Sequence, residues 1–322
     1  MKKFVKRKEF AILIITLLVV LVISLMNSAF LGIENLLDLL KGNVVLGIMA
    51  FGMLPVIISS GIDLSVSSTI VFSSVVCGKM MTLLDTNLFC VTLAAILSGI
   101  LIGLINGIII AQIKIPPIIT TLSMMGILLG AVLLFTNGVN ISNMPDWFRK
   151  FGMLTVGGIP IQIIIFAAVG VLTWFILRYT LIGRGIYAIG DNEQSALRVG
   201  YNVKHIQIFI YSYCGALTGL AALMNTSIMQ QVDPNTFSGF ELNVISAVVI
   251  GGASTMGGVG TVFGTVLGVV LLGIINNGLI LAKIPTFWQG IVMGSIILIA
   301  ISADMISHKR AQNKLVHVDV EE

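Results

Sequence analysis

The sequence predicts an all-α integral membrane protein of about ten transmembrane helices built around an inverted internal repeat. Three observations carry that prediction. Of 322 residues, 57% are hydrophobic and only 10% are charged, against about 25% charged in a soluble domain. A chain this apolar cannot cover itself with polar surface, so its excess faces acyl chains. Apolar runs of membrane length, about 20 residues, also follow one another with short connections. Finally, one pattern of residues recurs, in order, in the two halves.

Runs bounded by Gly, Pro, Asn or charge place candidate spans at 9–28, 43–60, 66–84, 88–111, 117–136, 159–178, 206–229, 240–252, 261–281 and 285–303. The first follows Lys2, Lys3, Lys6, Arg7 and Lys8, as a signal peptide would. Its apolar core is too long for one and no A-x-A-like site follows, so it reads as a retained helix. The eighth is short and reads as a half-helix or a re-entrant segment. Residues 304–322 form a polar tail, and 1–322 reads as a single membrane domain.

Orientation follows from the basic residues. With the N-terminus in the cytoplasm, inside segments hold Lys2, Lys3, Lys6, Arg7, Lys8, Lys114, Arg178, Arg184, Arg198, Lys204, Lys309, Arg310 and Lys314. Outside lie Lys41, Lys79, Arg149, Lys150 and Lys283, a division of 13 against 5 among the 18. Residues 1–8, 179–205 and 304–322 are then cytoplasmic. Residues 137–158 are outside, with Met144 to Phe151 as a short surface helix carrying Trp147.

The repeat pairs Gly61-Ile62-Asp63-Leu64-Ser65-Val66-Ser67-Ser68 with Gly239-Phe240-Glu241-Leu242-Asn243-Val244-Ile245-Ser246. Gly103-Leu104-Ile105-Asn106 then matches Gly273-Ile274-Ile275-Asn276, and Lys-Ile-Pro follows each, at 114–116 and 283–285. On the assigned topology the two copies, spans 2–5 and 7–10, run in opposite directions. Inverted repeats characterise transporters, because one pattern in two orientations gives two states of similar energy that open to opposite sides.

Gly99, Gly103 and Gly107, and likewise Gly260, Gly264 and Gly268, recur every four residues, with Gly126 and Gly130 as a shorter pair. That spacing lets helix backbones approach closely in lipid. Asp63 and Glu241 are acids near membrane segments, where an ionised carboxylate is costly unless satisfied. Capping of the following helix, with Ser65, Ser67 and Ser68 beside Asp63, is favoured over proton relay or substrate binding. Asn106, Asn276 and Asn277 lie in apolar runs, where an amide needs partners. Interhelical hydrogen bonding and pathway lining are both open for them.

The run Gly251 to Thr261 is glycine-rich but has no Lys to reach a phosphate, so it is not a phosphate loop. It reads as irregular backbone, tolerated where buried in protein or facing a cavity. In the inside stretch 179–205, Asp191 or Asn192 can cap a short helix, Glu193 to Val199, that Gly200 ends. With Ala196 on one face, that helix suits docking into a partner's groove, and a solvated surface turn is the other reading. Cys77, Cys90 and Cys214 read as packing residues. His205, His308 and His317 show no ligand spacing. The basic residues form no stripe with interleaved aromatics, which excludes a nucleic-acid partner. No catalytic constellation is visible.

Taken together, the Gly61-Ile62-Asp63-Leu64-Ser65-Val66 motif, the Gly183-Arg184 to Gly200 loop, and Glu241 followed by Val248-Val249-Ile250-Gly251-Gly252 to Gly257-Gly258-x-Gly260 resemble the ribose-type permeases of bacterial ABC importers. The resemblance covers about residues 10–304. It implies a type II ABC importer permease fold in the bacterial cytoplasmic membrane, and two permease chains, alike or different, around a central pathway. It also implies an ATPase with two fused nucleotide-binding domains on the cytoplasmic side and an extracytoplasmic sugar-binding protein. ATP and Mg would sit on that ATPase, with no cofactor on this chain. Arg184, Gly190, Asp191, Asn192, Glu193, Ala196 and Gly200 would form the coupling region. Ser67-Ser68 stands where many members have Gly-Ser. An ion-coupled secondary transporter, with Asp63 as its titrating acid, also fits an inverted repeat. A membrane scaffold or an intramembrane enzyme is the third class.

Overall fold

The structure is a computed structural model. It describes residues 2–84, 86–285 and 287–306 except 297, 300, 301, 303 and 304, with backbone alone for 2–8. The tail 304–322, apart from 305 and 306, and the side chains of the basic N-terminus lie outside the described residues. The tenth expected span, 285–303, is described in part and is helical over 287–296.

Among the described residues the chain is mostly helical, with one short hairpin. In order, the helices are α1 Lys2–Met26, α2 Ile33–Ile58, α3 Val66–Leu83, α4 Leu88–Ile108, α5 Pro117–Thr136, α6 Asp146–Met153 and α7 Ile161–Tyr179. They continue as α8 Leu181–Asp191, α9 Glu193–Arg198, α10 Val203–Met229, α11 Phe240–Ile250 and α12 Val262–Leu281. A 3₁₀ turn, Ser28–Leu31, joins α1 to α2, and strands β1 Thr155–Val156 and β2 Ile159–Pro160 pair between α6 and α7. Among the described residues eight helices are long and apolar enough to cross a membrane: α1 to α5, α7, α10 and α12. The eighth expected span is α11, whose 11 residues rise only about 16 Å, half of a ~30 Å hydrocarbon core.

The helix ends have local causes. Asn87, Thr180, Asn192, Asn202 and Thr261 each accept a first-turn backbone N–H of the helix that follows, filling donors that a helix start leaves orphaned. Pro117 opens α5, where a missing N–H costs nothing. Both Lys-Ile-Pro copies do the same work. Lys114 (φ 66°) and Lys283 (φ 55°) take the left-handed conformation that stops a helix before the proline. The first copy carries one extra residue, eight steps from Asn106 to Lys114 against seven from Asn276 to Lys283. The structure accommodates it as a π turn, Ile109–Ile113.

Helix packing follows the repeat. If α2, α3 and α4 correspond to α10, α11 and α12, each observed pairing has its exchanged counterpart. α3 packs on α4 as α11 does on α12, α4 on α10 as α12 does on α2, and α3 on α10 as α11 does on α2. Helices α2 and α10 pair with each other at the centre. Four crossing helices lie between them in sequence, so they run antiparallel. The core is centred on α2, which is buried along Val44–Ile58.

The glycine rows sit at the crossings. A Cβ on Gly99, Gly103 or Gly107 would fall on the α10 backbone at Gly215, Tyr211 or Ile208, and Gly215 and Gly219 meet α4 in return. Gly264 and Gly268 likewise meet the α11 backbone at Gly251 and Ala247, whereas Gly260 precedes α12 and meets the Ile58 and Leu54 side chains instead. Such contact relies on dispersion and short backbone approach, the terms available in lipid. The Gly126–Gly130 pair departs from expectation: among the described residues a Cβ on either would meet nothing within 4 Å beyond its own stretch of helix. It packs no helix here because α5 turns that face outward.

A candidate coupling face at one end of the bundle

One end of the bundle, the one expected to face the cytoplasm, gathers four segments remote in sequence. They are the α2–α3 connection, the π turn and Lys114 before α5, helices α8 and α9, and the glycine-rich loop 251–261. The expected cytoplasmic stretch 179–205 contains not one short helix but two, since α8 precedes α9. Its amphipathic stretch was hidden by Gly183, Gly185 and Gly190, which read as loop. These glycines are there for proximity instead. A Cβ on Gly183 would strike the α7 carbonyls of Ile176 and Leu177, and one on Gly190 the Ile58 carbonyl.

Around Gly190 the segments interlock. Gly258 N donates to the Ile58 carbonyl at 2.8 Å. Ser60 Oγ lies 2.9 Å from the Met256 carbonyl and 3.3 Å from that of Gly190, and its one proton serves either. Tyr187 Oη donates to the Gly260 carbonyl at 2.8 Å, and burial pushes its phenol up to about 12. Gly252, Gly257 and Gly258 hold positive φ, which only glycine takes freely. The irregular run is thus mostly buried in protein, with Met256 exposed, as its composition requires in lipid. A cavity of about 470 Å³ opens beside this junction, lined by Ser60, Lys114, Gly190, Asp191, Asn192 and Glu193 among others.

Of the expected coupling residues, Arg184, Asp191, Asn192 and Gly200 are exposed. Asn192 caps α9 through the Ser195 N–H at 2.8 Å, and Gly200 ends the segment at φ 95°. Glu193 forms an ion pair with Lys114 at 3.3 Å, and both residues line the cavity. Ala196 corrects the expectation. It is buried inside its own chain, 3% exposed, so it fastens α9 down rather than facing a partner. The face turned outward carries Leu197 and Val199, 53% and 78% exposed. Sequence reasoning missed Ser60, Lys114, Tyr187 and Met256; the Lys-Ile-Pro repeat marked the place of Lys114 but not its charge partner.

The polar residues within the helices divide. Asp63 is buried, 2% exposed, and its Oδ1 accepts from Ser65 N at 2.9 Å and Ser65 Oγ at 2.6 Å. It shapes the turn into α3 without directly capping the helix. Burial pushes this connecting-loop carboxyl up to about 6, against the opposing pull of the two Ser65 hydrogen bonds. Asn106 Nδ2 donates to Ser65 Oγ at 2.9 Å, an interhelical hydrogen bond. Its Oδ1 is buried without a partner among the described residues. The repeat does not carry this environment over. Asn276 is exposed, while Asn277 exchanges two amide hydrogen bonds with Asn35, at 3.0 and 3.2 Å. Glu241 occupies the first turn of α11 after Gly239, which makes no side-chain cap, and its Oε2 is buried without a partner among the described residues. No cluster of three His, Cys, Asp or Glu fit to hold a metal occurs among the described residues.

Comparison with known proteins identifies the family. Residues 35–301 match the family described as branched-chain amino acid transport system / permease component. The ribose import permease of Haemophilus influenzae is 36% identical over 93% of this chain and 93% of its own length. The ribose import permease of Bacillus subtilis is 37% identical over 89% of each chain. The autoinducer 2 import system permease of Photorhabdus luminescens is 32% identical over 94% of this chain and 92% of its own. No solved structure matches. With most of its length matched by the family model and by full-length relatives, this multi-pass chain of the bacterial cytoplasmic membrane belongs to the ABC importer permease family that includes the ribose permeases.

Proposed function

We propose that the chain is the membrane path of an ATP-driven importer for a monosaccharide, ribose or a related small sugar, and works by alternating access. ATP is hydrolysed on a separate ATPase with two fused nucleotide-binding domains, which carries the ATP and Mg; this chain needs no cofactor of its own. An extracytoplasmic binding protein delivers the sugar, and a second permease chain completes the pathway. One observation carries the reading: α8 and α9 are fastened at Gly190 to the end of α2 and to the loop after α11. Those two segments belong to opposite halves of the repeat. A push delivered to the exposed Leu197–Val199 face therefore reaches both halves at once, as a coupling element must. In this reading Arg184, Gly190, Asp191, Asn192, Glu193 and Gly200 form or position the coupling region, and Ala196 anchors it.

The test is ATPase activity in proteoliposomes holding this chain and its ATPase, with binding protein and sugars added one at a time. Stimulation by one loaded binding protein supports the importer and names its sugar. A chain that binds no ATPase refutes it. An ion-coupled transporter is the second reading, favoured by the buried Asp63 carboxyl with its raised pKa. It requires Asp63→Asn to abolish a pH-dependent uptake that needs no ATP.

A further inference from the structure

At the end opposite the coupling face, a second cavity of about 400 Å³ opens between α10, α11 and their connection. Gln207 lines the inner cavity and Asn225 the outer one, both on α10. Their 18-residue separation (225 − 207) along one helix is about 27 Å, close to the thickness of the hydrocarbon core. On the orientation expected from the basic residues, the second cavity lies at the outer end of the bundle, the side from which an imported solute arrives.

Its lining has a definite chemistry. Asn225 from α10 and Asn243 from α11 both border it, and among the described residues neither amide has a hydrogen-bond partner within the chain. Each offers donors and an acceptor. Phe237 and Phe240 meet edge to face, with ring centroids 4.9 Å apart and planes at 90°, making an apolar corner. Phe237 takes φ 66°, a conformation costly for an aromatic residue and kept where surroundings enforce it, often at ligand sites. Asp233 accepts the Asn235 N–H at 2.8 Å through one oxygen. No Lys or Arg lines the cavity. Glu241 in the first turn of α11 offsets the positive end of that helix, so an anionic group finds no partner.

We infer that this cavity is a sugar-contact site of the permease itself. Asn225 and Asn243 meet ring hydroxyls, which donate and accept as amides do, and the Phe237–Phe240 corner packs on the C–H face of the ring. The volume falls within the ~300–1,000 Å³ of small-molecule clefts. The lack of a cation excludes phosphorylated sugars, and an amino acid's carboxylate would also go unpaired. The permease thus adds its own selection for neutral polyols to whatever its binding protein imposes. This rests on the importer reading only for direction, since the cavity and its lining stand without it.

The test is saturation-transfer NMR of D-ribose, L-arabinose, D-allose and L-leucine against the permease–ATPase complex in nanodiscs, without binding protein. At least one sugar should give a saturable signal, and leucine none. Asn225→Ala/Asn243→Ala should weaken sugar binding roughly tenfold, the scale of one or two lost hydrogen bonds. Phe237→Gly removes the ring while suiting the backbone, so it folds and should weaken binding as well. No saturable sugar signal in the wild type, or undiminished binding in both variants, overturns the inference. ATP-driven uptake is measured in parallel. Failed uptake with intact cavity binding sinks the importer reading and leaves this one standing; working uptake with no cavity binding does the reverse.

Discussion

Replacing Gly190 by alanine adds one methyl group at the most crowded junction of the inner end. The new Cβ would lie on the Ile58 carbonyl oxygen and 2.5 Å from Gly258 N, against an ordinary contact of about 3.5 Å. To admit it, α8 must withdraw by about an ångström or more. That separation breaks the Ser60 contact to Gly190 and strains the Gly258–Ile58 bond, each worth about 1 kcal/mol. Overpacking adds about 1–3 kcal/mol, so the substitution should cost about 2–5 kcal/mol in all. The unfolding midpoint should fall by roughly 5–15 °C at 2–4 °C per kcal/mol. Cys77 and Cys214 are buried and Cys90 is exposed, so a thiol-reactive fluorophore reads unfolding as the rise above a constant Cys90 signal. In proteoliposomes ATP hydrolysis and sugar uptake should also come apart, because α8 no longer bears directly on α2. An unchanged midpoint together with unchanged uptake per ATP would refute the idea that close approach at Gly190 transmits force.

Lys114→Glu and Glu193→Lys remove an ion pair whose side chains are 54% and 44% exposed, so each should shift stability by less than about 1 kcal/mol. Uptake per ATP should fall in both and recover in the charge-swapped double variant; no recovery means the pair is incidental. Asp63 has its pKa raised from 3.8 to about 6, so the folded state holds its proton more tightly than the unfolded chain does. Its burial is then free below about pH 4 and costs stability progressively as pH rises towards 6, up to about 3 kcal/mol. Asp63→Asn should flatten that slope and stabilise the protein at pH 7.5, which midpoints measured across pH 4–8 check. Leucine at Asn35, at Asn277 and at both should show a coupling of about 0.5–2 kcal/mol in a double-mutant cycle, the range for hydrogen bonds between membrane helices; a value near zero would show that each amide finds another partner.

Much of this was legible in the residues because lipid imposes strong rules. Spans, glycine crossings and the repeat follow from the need to satisfy backbone groups within helices and to pack without a hydrophobic driving force. Individual roles were less legible. Asn106 and Asn276 occupy matching places, yet one is fully buried against Ser65 and the other faces outward; only the neighbouring helices decide which. Ala196 looked like a docking surface since periodicity shows that a helix has two faces but not which is already occupied. Helix α8 was overlooked because glycines chosen for proximity resemble glycines chosen for turns. Asn225 lay unremarked in an apolar run, and its pairing with Asn243 across a cavity needs the crossing of α10 and α11.

The π turn at Ile109–Ile113 has a thermodynamic consequence. Two halves that matched residue for residue could trade conformations and leave the energy unchanged, so the inward-open and outward-open forms would be equally populated at rest. The additional residue in the first half, like the shortening of α11 to 11 residues against the 18 of α3, removes that degeneracy. In the alternating-access cycle proposed above, the chain would then have a preferred resting form set by its own sequence, and ATP would have to drive it uphill only once per cycle.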